Sequence, residues 1–304
     1  MSTPTALQLA LPQTATLGEG LHWHPASGRC WWTDIEARAI YAWTPGAADT
    51  LRVHLPERVG CFVHSRSGAL LLGMAGRLAR LHLPDLQAVG ELHVQPHTLE
   101  PVEQQLPTTR VNDGRCDRDG QLVFGTLDEA RPRQPIGSFY QYSLTHGLRR
   151  LALDGVAIAN SICFSPDGRR MHYCDTLTRR LMVCDYDAAN AEVSAPRLFA
   201  QKDLADAWPD GSTMDADGHL WNAEWGHGSV ARYAPDGSLV ARYTLAAPHV
   251  TCPALGGPAG DELMVTTARE EMSPEQLAAW PLAGSLFGLR LPAGLYLPEV
   301  LFAD

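Results

Sequence analysis

Four side chains with oxygen donors stand at one recurring place in the sequence. Asn112, Asn160 and Asp210 each lie eight residues before the glycine of a turn, and Glu19 lies nine before its own, because the first turn has one extra residue. Any one of them alone reads as an ordinary residue before an Asx turn. Carboxylate and amide oxygens are also the ligands that hard divalent cations prefer. If these positions meet in space, they can form a metal site.

The turns themselves predict the fold. Each turn is followed by an apolar, strand-like run, and the turn glycines are spaced 40 to 52 residues apart. This spacing is typical of four-stranded propeller blades. The sequence therefore predicts an all-β fold, a six-bladed β-propeller with four-stranded antiparallel blades around a central channel. The six turn glycines are Gly28, Gly68, Gly120, Gly168, Gly218 and Gly260.

Equivalent positions of a propeller lie at the same height and the same distance from the axis. We therefore expect Glu19, Asn112, Asn160 and Asp210 to converge on one ring at the mouth of the channel. In the second blade the same place is held by Gly60, which should contribute shape rather than a ligand.

The chain shows no break in composition, so residues 1–304 are expected to form a single domain. Residues 6–11 alternate weakly and predict a strand that completes the last blade together with the C-terminal runs 285–292 and 295–303. Such closure hides sheet edges. Residues 97–109 predict an ordered loop on the channel face, and Ser273 followed by Pro274 predicts the start of a short helix.

Charge and composition exclude several classes of protein. The net charge of −10, from 34 acidic and 24 basic residues, argues against nucleic acid or an anionic membrane as a partner. Lys202 is the one lysine, which leaves Schiff-base chemistry almost without a candidate. The seven cysteines form no CxxC pair and should be small buried hydrophobes. Without a basic leader or a long apolar run, the chain is expected to be cytoplasmic and soluble.

Familiar catalytic signatures do not occur. The sequence contains no GxSxG, HExxH, Walker loop or GxGxxG opening a strand-to-helix unit. His22 and His24 could suggest zinc, but without a third ligand nearby in the sequence, packing and hydrogen bonding are the favoured interpretation. The ring of oxygen donors is the organised chemistry of the chain.

Five segments carry a resemblance to a known family. They read LGEGLHWHP, TRVNDGRCDRDGQLVFGTL, IANSICFSPDG with a following CDT, WPDGSTMDADGHLW, and TTAR. In order and spacing they resemble the senescence marker protein 30 (regucalcin)/gluconolactonase family over nearly the whole chain. The resemblance implies a six-bladed β-propeller that acts as a metal-dependent sugar lactonase.

The resemblance also implies a metal site. Carried over by motif, the metal ligands are Glu19, Asn160 and Asp210, and Asp210 is in addition the catalytic acid/base. The cofactor is then one divalent cation. Two carboxylates and one amide balance its charge without selecting among Ca²⁺, Zn²⁺, Mn²⁺ and Fe²⁺.

Substrate binding is implied at three further positions. Arg110 and Asn112 match the family's substrate-binding pair, and Glu129 in GTLDEARP is the counterpart of another substrate-contacting glutamate. The partner would be a small sugar lactone such as a glucono-, xylono- or arabinonolactone, with the loops 97–109 and 129–136 selecting the sugar. Directional donors suit a substrate rich in hydroxyl groups. The alternatives are an aryl-ester or phosphotriester hydrolase of the same fold and a non-enzymatic metal-binding propeller.

Overall fold

A computed structural model describes residues 6–304, which form six β-sheets around a central channel. All six turn glycines join the first two strands of a sheet and have φ between 63° and 90°, a region that side chains disfavour. The all-β, six-bladed propeller predicted from the sequence is confirmed.

The strands of the first three blades follow the chain from the innermost strand outwards. Blade one contains β2 (Gly18–His24), β3 (Arg29–Asp34), β4 (Ala39–Trp43) and β5 (Thr50–His54). Blade two contains β6 (Val59–His64), β7 (Leu70–Met74), β8 (Arg77–Leu81) and β10 (His97–Pro101), and the intervening β9 (Gly90–His93) belongs to blade one. Blade three contains β11 (Thr109–Cys116), β12 (Leu122–Asp128), β13 (Phe139–Ser143) and β14 (Gly147–Arg150).

The remaining blades repeat this order. Blade four contains β15 (Ala159–Phe164), β16 (Arg170–Asp175), a 3-10 turn (Thr176–Thr178), β17 (Arg180–Asp187) and β18 (Glu192–Gln201). Blade five contains β19 (Trp208–Met214), β20 (Leu220–Trp225), β21 (Ser229–Tyr233) and β22 (Leu239–Thr244). Blade six contains β23 (Val250–Gly256), β24 (Glu262–Thr267), the helix α1 (Pro274–Ala279), β25 (Leu286–Arg290) and, from the other end of the chain, β1 (Gln8–Leu11).

The two ends of the chain close the ring in different ways. β1 pairs antiparallel with β25, as predicted for the first of the two C-terminal runs. The second run adds no strand to blade six and instead crosses the far end of the channel. There the Leu295 carbonyl accepts from the Ala216 amide at 2.9 Å, and the Phe302 and Ala303 amides donate to His64 and Gly120, each at 2.8 Å. This tail (residues 295–304) ties blades five, two and three together.

The connection between blades two and three departs from the sequence prediction. The prediction of a loop on the channel face for residues 97–109 is wrong for residues 97–101, which form β10, the outermost strand of blade two. Before reaching it, the chain adds β9 to blade one as a fifth strand, parallel to β5. Leu92 and Val94 pack on the apolar core between these blades. The sequence 97–101 is polar and largely exposed, so it carries no alternation that would predict a strand.

Two local features of the blades are set by short stretches of sequence. Ser273 caps α1 in a reciprocal capping box with Gln276, as the sequence predicted. Asp34 and Asp175 occupy equivalent places, and each accepts three backbone N–H groups from its own blade. Within residues 6–304, none of the helices has both the length and the apolarity that crossing a membrane requires.

All seven cysteines are buried and unpaired. They lie in the strands or packed layers of the blades, as small hydrophobes do. Burial raises the pKa of every one of these thiols above its usual value of 9.0. The folded protein therefore holds its thiol protons more tightly than the unfolded chain does.

This difference predicts a pH dependence of stability. A group whose pKa is raised on folding contributes stability below its unfolded pKa and loses it as the pH rises further. We expect the free energy of unfolding to fall above pH about 9, on the order of several kcal/mol per pH unit. Urea unfolding under reducing conditions between pH 7 and pH 10 measures this free energy of unfolding. A flat profile above pH 9 would show that the thiols are accessible to water in the folded state.

Candidate active site

The innermost strand of every blade is bulged at the same height. The register between the first two strands shifts immediately after or around the ring position in all six blades. A bulge bends a strand and re-aims its side chains. Here it turns the ring residues towards the axis at the channel mouth. Glu19, Asn112, Asn160 and Asp210 all line one cavity of about 450 Å³, as their spacing predicted.

The ring position of blade two is held by Gly60, which has no side chain. A Cβ at this position would lie 2.3 Å from the carbonyl oxygen of Val111 in the next blade. The close approach of the two strands therefore requires glycine. Blade two contributes shape at this height, as expected.

Glu19, which is half-buried, and Asp210, which is buried, bring two carboxyl groups together in this cavity. Burial, and then the charge of nearby Asp113, raise the pKa of Glu19 to about 8. Burial, and then the charge of Glu19, raise the pKa of Asp210 well above its usual range. Two neighbouring carboxylates that are poorly hydrated repel each other unless a proton or a cation lies between them. The pair is therefore suited to hold a cation.

Asn160 presents its amide oxygen to the same place. Its Nδ2 donates to Thr176 Oγ1 at 2.9 Å, and the Thr176 hydroxyl donates to the Pro209 carbonyl at 2.9 Å. This chain fixes the orientation of the amide. Its Oδ1 accepts one hydrogen bond, from Asn112 Nδ2 at 3.1 Å, and retains a second lone pair. Together with the two carboxylates it forms an all-oxygen donor set, which fits a divalent cation.

Asn112 differs from the other three ring residues. Its Oδ1 accepts from the Arg110 guanidinium at 2.8 Å, and its Nδ2 donates to Asn160 and, at 2.9 Å, to the Ala159 carbonyl. Its oxygen is thus engaged by a cationic side chain. The spacing alone had grouped Asn112 with the oxygen ligands, whereas the structure pairs it with Arg110 on the wall of the cavity.

Glu129 is brought to the same wall by arginines. Arg58 donates to both of its carboxylate oxygens, at 2.6 and 2.7 Å, and Arg110 Nε lies 3.4 Å from one of them. Burial alone would raise the pKa of Glu129, but the hydrogen bonds from Arg58 and the charge of Arg110 lower it. Glu129 therefore remains an anion that accepts hydrogen bonds. Arg58 also contacts Glu36 at 3.1 Å.

The sequence carries no signal for Arg58 or for most of the rim. Arg58 and Glu36 stand in blade-one connections outside the repeated motif, so no register pointed to them. Of the two loops expected to select the sugar, 129–136 lines the cavity, whereas no residue of 97–109 does. Arg131 and Arg133 belong to that predicted loop, whereas the sequence does not predict the rim residues Glu36, Arg58, Trp208, Trp225, Glu270 and Glu271.

A buried asparagine supports the bulges of blades four and five. Ser161, which follows Asn160, is fully buried and adopts φ of 64°, a conformation that costs free energy in a non-glycine residue. Its hydroxyl donates to the Asp210 carbonyl at 2.5 Å. Asn222 Nδ2 donates to Ser161 Oγ at 3.0 Å and to the Asp210 carbonyl at 3.1 Å. Asn222 thus fixes the backbone on which two ring residues stand.

Below the ring, the channel narrows and is closed by the tail. A cavity of about 40 Å³ lies between the ring and Glu299, which pairs with Arg115. His22 contacts the Gly20 carbonyl at 3.0 Å and His64 Nδ1 at 2.9 Å, and His24 contacts Ser27 Oγ at 2.9 Å while stacking on His64. The two histidines pack and hydrogen-bond as predicted. Burial lowers the pKa of His22 to about 4 and lowers the pKa values of His24 and His64, so these three imidazoles are neutral near pH 7.

Comparisons with known proteins agree with this geometry. Residues 17–269 match the family model described as SMP-30/Gluconolactonase/LRE-like region. The chain is 41% identical over 274 residues to the L-arabinolactonase of Azospirillum brasilense, covering 90% of this chain and 87% of that protein. It is 32% identical over 255 residues to a pentonolactonase of Haloferax volcanii, covering 83% and 81%. A solved structure of a calcium-binding protein, regucalcin, from Agrobacterium tumefaciens superimposes with a TM-score of 0.86 at 30% identity and 99% coverage of both chains.

The support given by Asn222 predicts a coupled loss. We expect Asn222→Ala to lower the free energy of unfolding by about 2–3 kcal/mol, because buried groups lose their donor. We also expect it to weaken divalent-cation binding about tenfold or more, as the loss of residues that orient ligands does. Urea unfolding and calorimetric titration with Mn²⁺ measure the two effects. The control is Asn190→Ala on the exposed surface, which should stay within about 0.5 kcal/mol. Unchanged cation affinity in Asn222→Ala would contradict the coupling.

Proposed function

The chain belongs to the SMP-30/gluconolactonase/LRE-like family, and on that basis we propose that it hydrolyses the ester bond of sugar lactones with the help of one divalent cation. The observation that carries the proposal is the composition of one cavity. A pair of neighbouring carboxyl groups and an oriented amide oxygen lie beside a wall of directional donors and acceptors.

The cation would be held by Glu19, Asn160 and Asp210. These residues come from blades one, four and five, so the rigid ring sets their separation. A divalent ion bound there supplies Lewis-acid polarisation of the ester carbonyl. The donor set is compatible with Ca²⁺, Zn²⁺, Mn²⁺ or Fe²⁺, because carboxylate and amide oxygens bind all four. The calcium-binding protein from Agrobacterium tumefaciens supports a metal in this fold.

Asp210 is the proposed general base. Its burial favours uptake of a proton, and its backbone is fixed by Ser161 and Asn222. It would take a proton from the water that attacks the lactone carbonyl and return that proton to the ring oxygen as the carbon–oxygen bond breaks. Such proton transfer typically contributes about 10²–10⁴-fold to the rate.

Arg110, Asn112 and Glu129 are proposed to bind the sugar. Arg110 is a donor held in place by the Asn112 amide oxygen, and Glu129 is an acceptor held by Arg58. A polyol offers both donors and acceptors, so it can satisfy this wall, whereas an aryl substrate would leave the buried polar groups unpaired. The lactonase names of relatives such as those from Azospirillum brasilense and Haloferax volcanii support this substrate class.

A substrate panel tests the proposal. We expect release of acid from pentono- and hexonolactones in a pH-stat, loss of that activity on treatment with a chelator, and recovery when one divalent cation is added back. The matched arms are an aryl acetate and a phosphotriester, which should react far more slowly. Faster turnover of the aryl ester would favour the alternative hydrolase. Lack of turnover of every substrate in the metal-loaded protein would favour a binding protein.

Asp210→Asn separates the ligand role from the base role. The amide keeps the shape and one oxygen but cannot accept a proton. We expect kcat to fall by about 10²–10⁴-fold while the variant still binds cation, since a base is missing and a donor oxygen remains. Steady-state rates and cation titration of the same preparation measure both. Near wild-type kcat in a metal-loaded variant would assign the base to another group.

A further inference from the structure

A second cluster of metal-binding side chains lies on the outer face of blade one, away from the channel. We propose that His54, Glu91 and His93 form a site for a borderline divalent cation such as Zn²⁺ or Ni²⁺. One donor atom from each residue lies within 4.8 Å of those of the other two. The inference is independent of the proposed lactonase activity.

The parallel pairing of β5 and β9 creates this cluster. His54 is directly opposite His93, and Arg52 is directly opposite Glu91. Because side chains alternate along a strand, these four share one face, while Leu51 and Val53 on the other face are buried in the core. The unexpected fifth strand is therefore what assembles the ligands, and neither strand alone carries the site.

The side chains of His54, Glu91 and His93 make no hydrogen bond within residues 6–304. Nε2 of His54 is buried and has no hydrogen-bond partner within the described part of the chain. It lies 3.4 Å from Glu91 Oε2, and the two imidazole rings are stacked with centroids 4.4 Å apart. A buried ring nitrogen without a partner costs free energy. A cation bound by both imidazoles and the carboxylate would satisfy it.

Arg52 is the nearest competitor for Glu91, and it competes weakly. Its NH1 lies 3.9 Å from Glu91 Oε1, which is beyond hydrogen-bond distance. The guanidinium instead lies over the ring of Tyr41, 5.6 Å from its centroid. Glu91 is 62% exposed and is therefore free to rotate towards an ion.

Two other histidine clusters are less open to a cation, although His219 Nδ1 and His64 Nε2 are also buried without a partner within the described residues. In the group Asp215, Asp217 and His219, both Asp215 oxygens already accept hydrogen bonds, including those from Arg232 and Trp221. In the channel, the nitrogens by which His22, His24 and His64 approach one another or Ser27 are engaged. The cluster on blade one differs because its unpaired nitrogen lies beside Glu91, a carboxylate that accepts no hydrogen bond from the part of the chain that the structure describes.

The ligand types select a different ion from that expected in the channel. Two imidazole nitrogens and one carboxylate suit Zn²⁺, Ni²⁺ or Cu²⁺ better than Ca²⁺ or Mg²⁺, which prefer oxygen. Zinc in such a site takes nitrogen ligands at about 2.0–2.1 Å, so the side chains would close in on the ion. Binding would fasten β9, and with it the connection 82–96, to the edge of blade one.

Zinc titration of tag-free protein by calorimetry tests this site. The variants are His93→Gln, which removes one exposed ligand, and His146→Gln, which removes an exposed histidine in blade three as a matched control. We expect wild type and His146→Gln to bind one more zinc equivalent than His93→Gln. Zinc should also raise the Tm of wild type more than that of His93→Gln, because ligand binding to the folded state stabilises it.

Zinc binding at this cluster can be told apart from zinc binding in the channel. Zinc bound in the channel adds the same equivalent to all three proteins and cancels in the comparison. Lactone hydrolysis by His93→Gln should equal that of wild type, which also shows that the variant is folded. If it does not fold, Glu91→Gln gives the same comparison. Equal zinc stoichiometry and equal Tm shifts in wild type and either folded variant would overturn the proposal.

Discussion

Two carboxyl groups, Glu19 and Asp210, are held side by side in the mouth of the channel, and the pKa of each is raised; this is the constraint to which the rest of the channel is fitted. Free side chains would avoid the arrangement, because burial and mutual repulsion both disfavour two charges. It persists because the carboxyls stand on different blades of a closed ring, and neither blade can withdraw. The spacing of the blades therefore favours the binding of a cation beside the two carboxyl groups.

The bulges convert this ring into a site. Regular strands would alternate their side chains between the two faces of each blade, and no register could direct a whole layer at the axis. The extra residue in each inner strand breaks that alternation at one height. Its cost is visible in the left-handed backbone of Ser161, which is maintained by the buried amide of Asn222. The same bulges therefore cause the backbone strain and set the positions of the ligands.

How much the sequence predicts depends on whether a residue is part of the repeat. The ring position and the turn glycines recur at a fixed distance, so their place in the fold could be inferred without any structure. Arg58 and Glu270 occur once each, in connections whose path is decided by packing, and nothing local indicates that they face the cavity. The same limit applies to β10, whose polar sequence pairs only because β8 offers it an edge. Asn112 was placed correctly, but the hydrogen bond that turns its oxygen to Arg110 follows from side-chain geometry that spacing does not encode.

The C-terminal tail, which crosses the end of the channel below the ring, makes the cavity a blind pocket. Reactant and product must therefore enter and leave through the same opening, one after the other. For lactone opening, an uncharged molecule enters and an anion departs. The mouth it passes carries Glu36 and Glu271, which pair with Arg58 and Arg131, and also Arg133. Acidic and basic groups are thus balanced at the rim, so one opening can admit an uncharged ring and release the open-chain acid without holding it by a large net charge.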